Sequence, residues 1–125
     1  MAAAGRFSDK RIETLRRAKI LGLRAGSKHK YTAVWPVVVE GRLFVRTWND
    51  SPDGWFRAFL AESRGVAEWP EGEARVVGKP VRSERMRKAV TAAYAEKYAT
   101  KASQKWVQGF AEPAREANTL ELTPA

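Results

Sequence analysis

Four residues around one glycine turn have the chemistry to hold a phosphate. Arg24, Ser27, Lys28 and Lys30 flank Gly26, where turn N–H groups, a hydroxyl and several cations can converge on an anion. Basic turns are common, so this pattern alone selects no particular ligand. A second group is aromatic: Trp35, Phe44, Arg46 and Trp48, followed shortly by Trp55 and Arg57. Trp35 beside Arg46 invites a cation–π contact, worth about 0.5–2 kcal/mol depending on desolvation. So much apolar surface must be covered by a helix, a second subunit or a flat ligand.

Other chemistries are excluded by what is missing. The chain has no cysteine, which removes disulfides, thiolate catalysis and sulfur-ligated zinc. His29 is the only histidine, too few imidazoles for a transition-metal site, and it reads as a loop residue. Neither the dinucleotide-binding glycine fingerprint nor a P-loop occurs. The carboxylates are scattered, with Glu71 and Glu73 on either side of a turn glycine, and suggest no acid–base pair.

The elements that must position these residues follow from periodicity. Ser8 or Asp9 can cap a basic amphipathic helix with Ile12, Leu15 and Ala18 inward, ending near Ile20. A short strand then runs into the Gly26 turn. Tyr31–Val39 and Leu43–Trp48 read as two strands of a hairpin turning at Glu40-Gly41. That register sets Val39 opposite Arg42, Val37 opposite Phe44, Trp35 opposite Arg46 and Ala33 opposite Trp48. One face then carries Val34, Pro36, Val38, Leu43 and Val45, the other Tyr31, Trp35, Phe44, Arg46 and Trp48. Pro36 lacks an N–H, which predicts an edge position or a bulge there. A helix over Trp55–Glu62 buries Trp55, Phe56, Phe59 and Leu60. Strands follow at Val66–Trp69 and Ala74–Val77, and a helix capped by Ser83 runs to about Tyr98, its Tyr94 and Tyr98 packed in a core or interface. The spacing over Ala99–Glu116 is ambiguous, and Thr119–Leu122 reads as a last strand.

At 125 residues and 44% hydrophobic content, the chain suits a single domain over 1–125, with residues 1–8 flexible. The net charge of +9 is concentrated: residues 1–30 hold nine basic side chains against Asp9 and Glu13, a net +7 that leaves +2 for the rest. A basic end attracts anionic partners, among them nucleic acid, for which charge alone supports only nonspecific binding. No segment approaches the roughly 18 apolar residues of a membrane span or forms a signal peptide, so a cytoplasmic protein without membrane contact is expected.

The run Val34–Trp48, then Gly54-Trp55-Phe-Arg57, then Ala92–Tyr98 and Ala114–Pro124, resembles a family of small bacterial proteins classed as a domain of unknown function, over about residues 12–124. More distantly, the Gly/Ser turn, tryptophan-bearing hairpin and Gly-Trp-aromatic-Arg helix are similar to deazaflavin-dependent nitroreductases and other flavin-binding split barrels. The resemblance implies an α+β fold, a split-barrel-like antiparallel sheet with flanking helices, and a homodimer joined through the aromatic face. It further implies FMN or a deazaflavin as cofactor, with Lys28, Lys30 and Arg57 holding phosphate and Arg46 with Trp48 positioning the ring. Hydride transfer would then be the cofactor's chemistry. Two competing functions stay open: a non-enzymatic module for a small phosphate-bearing ligand, and a nucleic-acid-binding module.

Overall fold

A computed structural model describes residues 6–26, 29–49 and 51–125. Helix α1 spans Asp9–Arg17 because the Ser8 hydroxyl accepts the Arg11 N–H at 3.2 Å, while Ile12 and Leu15 turn inward. It stops short of Ile20, since Ala18 already takes extended backbone and is itself buried. Of the first eight residues, 1–5 lie outside the described residues, whereas Ser8 is held as the cap.

Strand β1 (Leu21–Ala25) leads to the Gly26 turn and back through β2 (Thr32–Val34), with Leu21 opposite Val34. Here the chain departs from the continuous first strand expected over Tyr31–Val39. It changes partners at Trp35-Pro36: β2 pairs with β1, while β3 (Val37–Val39) pairs with β4 (Arg42–Arg46). Proline has no ladder donor and restricts the residue before it, so the break falls there. Val39 does face Arg42 and Val37 faces Phe44. Trp35 and Arg46, and Ala33 and Trp48, are therefore not strand partners. The turn at Glu40-Gly41 puts both residues at positive φ, 53° and 72°, the twist that a two-residue hairpin favours. Glu40 tolerates it with its side chain outside, where the carboxylate meets Arg85 at 2.9 Å.

After helix α2 (Trp55–Glu62) come β5 (Arg64–Trp69) and β6 (Gly72–Pro80), both longer than expected. Helix α3 (Glu84–Lys97) is capped by Ser83, and the ambiguous stretch resolves into a 3-10 turn (Lys101–Ser103), α4 (Gln104–Phe110) and α5 (Pro113–Glu116). Strand β7 (Thr119–Pro124) closes the order β2-β1-β5-β6-β7-β4-β3, every neighbouring pair antiparallel. The sheet curls into a half-barrel, the split-barrel-like α+β architecture anticipated from the sequence.

Strand alternation in β4 feeds two cores. Leu43 and Val45 join Leu15, Leu21, Leu23, Phe59 and Leu120 in a core that includes α1 and α2. Phe44 points the other way, into a core with Val37, Met86, Val90, Tyr94, Tyr98 and Phe110 of α3 and α4. The two unlike faces of the hairpin are real. The face expected to join two subunits packs against α3 and α4 of the same chain. Leu60 is a smaller departure: it lies 45% exposed on the outer side of α2 while Trp55, Phe56 and Phe59 face inward.

Candidate functional site

Where β2 leaves for β3, β4 ends and α2 begins, the sheet and α4 enclose an open cavity of about 710 Å³, within the usual size range of small-molecule sites. Trp35, Trp48, Trp55 and Trp106 all line it, four of the chain's five tryptophans. The fifth, Trp69, is buried elsewhere and donates its indole N–H to the Thr14 hydroxyl at 2.8 Å.

Each indole is held by a different device. Trp35 stacks on Tyr98 with centroids 4.1 Å apart and planes 9° from parallel, and its carbonyl accepts the Tyr94 hydroxyl at 2.7 Å. Trp48 follows β4; the Arg115 guanidinium lies 3.7 Å from its ring centroid while Arg115 Nε donates to the Trp48 carbonyl at 2.9 Å. Trp106 and Phe110 of α4 meet Trp48 edge-on at 4.8 and 5.5 Å. Trp55 opens α2 and packs edge-on against Phe56. Trp106 is 42% exposed, so aromatic surface reaches the mouth.

Polar groups sit at the margin. His29 and Lys30 enter from the turn between β1 and β2, and Ser51, Asp53 and Gly54 from the loop before α2. Gly54 caps α2 without a side chain, its own N–H bonded to the Ser51 carbonyl at 3.0 Å. The Thr47 hydroxyl donates to the Asn49 carbonyl at 2.6 Å and shapes the exit from β4.

The five residues singled out from the sequence fall in different places. Lys30 and Trp48 line the cavity. Lys28 lies outside the described residues, as does Ser27. Arg57 is exposed on α2 and is not among the lining residues. Arg46 borders the cavity but is only 1% exposed, and its guanidinium points into the protein. It donates to the Thr119 and Thr91 hydroxyls at 2.8 and 2.9 Å and to the carbonyls of Phe110 and Arg87 at 2.7 and 3.0 Å. Burial lowers its pKa, opposed by Tyr94 and Glu116 nearby, and an arginine stays charged through such a shift. The expected Trp35–Arg46 contact is replaced by Arg46 over Tyr94, at 5.7 Å, and by Arg115 over Trp48. Arg46 thus ties α3 and α4 to the sheet. Trp106 and Phe110 were not read as site residues. Their four-residue spacing on one face of α4 was the available signal.

Among the described residues, no group of three or more His, Asp or Glu side chains is placed to hold a metal ion, and no helix is long and apolar enough to cross a membrane.

A curled antiparallel half-barrel with helices on both faces and an aromatic cavity at one end defines a split-barrel-like protein. Residues 10–122 match the bacterial family described as uncharacterized protein conserved in bacteria, DUF2255, and the chain belongs to that family. No curated protein sequence matches it. Among solved structures, it is similar to the conserved hypothetical protein Rv2991 from Mycobacterium tuberculosis, with a TM-score of 0.60 and 13% identity over 98% of this chain and 82% of that one. It is also similar to an FAD-binding protein from Mesorhizobium loti, with a TM-score of 0.52 and 11% identity over 94% of this chain and 88% of that one. At such identities the likeness is one of fold.

Proposed function

We propose that the tryptophan-lined cavity binds a flavin, FMN or a deazaflavin. The observation that supports this most is the convergence of Trp35, Trp48, Trp55 and Trp106 on one open cavity with Lys30 at its edge. A planar tricyclic ring gains stacking on such walls, and a terminal phosphate gains the Lys30 cation. FAD binding by a protein of similar fold adds support. When bound, the flavin supplies the redox chemistry. The chain's part is to stack the ring, hold the phosphate and limit access of water; no side chain here is assigned as acid or base.

Titration with FMN, riboflavin and a deazaflavin, followed by quenching of tryptophan fluorescence, tests the reading. Micromolar affinity is expected for FMN, about −8 kcal/mol. Lys30→Ala should weaken FMN about tenfold while leaving riboflavin nearly unchanged, since only FMN carries the phosphate. Absence of quenching by all of them at millimolar concentration refutes it. Bleaching of the bound flavin by NADH or NADPH would add hydride transfer, whereas binding without bleaching identifies a non-enzymatic module.

A further inference from the structure

Lys97, the last residue of α3, turns its amine into the seam between α1, α3 and the segment leading to β3. Nζ lies 2.7 Å from the Pro36 carbonyl oxygen and 3.5 Å from that of Leu15. With Arg16, Val37, Val38, Ala93 and Glu96 it lines a second cavity of about 330 Å³, which shares no lining residue with the tryptophan cavity.

The local bonding suits a neutral amine. Two carbonyl acceptors match the two N–H donors of an –NH2 group, so losing the third proton strands no donor and leaves a lone pair for the cavity. The Leu15 carbonyl also accepts the Ala18 N–H at 3.2 Å and does not depend on Lys97 alone. The charges around the amine are mixed. Lys19 follows α1 and bonds the Lys97 carbonyl at 3.4 Å, Arg16 comes from α1, Glu96 from α3, and the Tyr98 ring centroid lies 5.5 Å from Nζ. Burial first, then Lys19 and Arg16, bring the ammonium from the ordinary 10.5 down to about 8.

We propose that Lys97 is a nucleophilic amine that condenses with a small carbonyl compound bearing an anionic group, with Arg16 attracting the anion. The nitrogen lone pair attacks the carbonyl carbon and a C–N bond forms. Both amine hydrogens then leave with the carbonyl oxygen as water, giving the imine. Protonation of the imine restores one N–H for the Pro36 carbonyl. Arg16 is already bonded through Nε to Glu13 at 3.3 Å, but that pair is exposed and weakly held.

Glyoxylate with cyanoborohydride as hydride donor traps such an imine as a carboxymethyl group, which peptide mapping locates. In the folded protein, Lys97 should be modified at least ~10-fold faster than Lys101 and Lys105, because a far larger fraction of an amine near 8 is neutral at pH 7.5. The rate should climb with pH and level off above about 8. Urea should abolish the preference, and Lys97→Met should remove the adduct. Arg16→Ala should slow trapping of glyoxylate more than that of uncharged propanal. Modification of Lys97 no faster than Lys101 and Lys105, or a preference that persists in urea, overturns the proposal.

Discussion

Arg46 shows how much the surroundings of a residue depend on partners distant in the sequence. An arginine flanked by aromatics on a strand suits either a ligand or a core, and the sequence holds no sign of which helices will land on it. The acceptors that decide the matter, Thr91, Thr119 and the carbonyls of Arg87 and Phe110, are separated from it by more than forty residues. Arg46→Ala should therefore cost about 3 kcal/mol or more, since it strands buried acceptors and empties a large volume. Arg46→Met, which keeps most of the volume, should cost less; urea midpoints of the two variants check the order. Lys97 has a pH signature of its own. Between about 8 and 10.5 the unfolded chain holds a proton on this amine that the folded chain has released, so stability rises with pH there. Tyr94 and Tyr98 act in the opposite sense above about 10: burial holds both hydroxyls above their ordinary value, and the folded chain keeps protons that the unfolded chain loses. Urea midpoints measured from pH 7 to 9.5 should show the rise in the wild type and not in Lys97→Met.

Elements with a strong period were legible. Helices α1, α2 and α3, the Glu40-Gly41 turn and strands β4–β7 all follow from caps, alternation and turn residues, with ends extended or trimmed by pairing. Two elements were not. The split at Trp35-Pro36 depends on β1 offering an alternative partner to β2, a long-range choice that local propensity cannot register. Helix α4 is seven residues long and buries only Val107, Gly109 and Phe110, too short a stripe for a periodic signal. Yet α4 contributes a wall of the cavity, and Gly109 is where it meets the site. A Cβ added there would overlap the far edge of the Trp48 indole, at Cη2 and Cζ3, and come 3.2 Å from Arg115 Nη1. Alanine gains roughly 1 kcal/mol over glycine within a helix, while overpacking of this kind costs typically 1–3 kcal/mol. The indole is clamped by Arg115 from its face and cannot yield without moving that contact. Gly109→Ala should accordingly lower stability slightly or leave it level while displacing Trp48. Its mark should be a shifted tryptophan emission maximum and about tenfold weaker FMN binding, the loss expected when a stacking contact worth ~1.4 kcal/mol is removed.

For the molecule as a whole, the uneven charge poses the main question, because +7 of the net +9 lies in residues 1–30. Helix α1 carries four of that segment's nine basic side chains and both of its acidic ones, a net +2, and several of these cations already have partners. Arg16 and Arg17 pair with Glu13, Arg17 also reaches Glu71, and Arg11 donates to the Glu73 carbonyl at 2.9 Å. The aromatic residues lie elsewhere: Trp35, Trp48 and Trp55 line the cavity, and Trp106 at its mouth is the indole most open to solvent. A nucleic acid would thus find charge without a row of open rings. The expected behaviour is weak, nonspecific binding, with a dissociation constant no tighter than about 10 μM at physiological salt. On duplex DNA the log–log dependence on salt should have a slope near −0.9 for each phosphate neutralised, and pairing of Arg16 and Arg17 with carboxylates should keep the total small. Fluorescence anisotropy with labelled duplex and single strands across a salt series measures this, with Trp106→Ala and a combined Arg16→Ala, Arg17→Ala variant alongside. The arginine variant should change the slope only slightly, because those cations are already paired, and Trp106→Ala should leave binding unchanged. Submicromolar affinity at 150 mM salt that is lost with Trp106 would instead reveal base stacking, worth about 1–3 kcal/mol per ring, and would make the cavity mouth a single-strand binding surface.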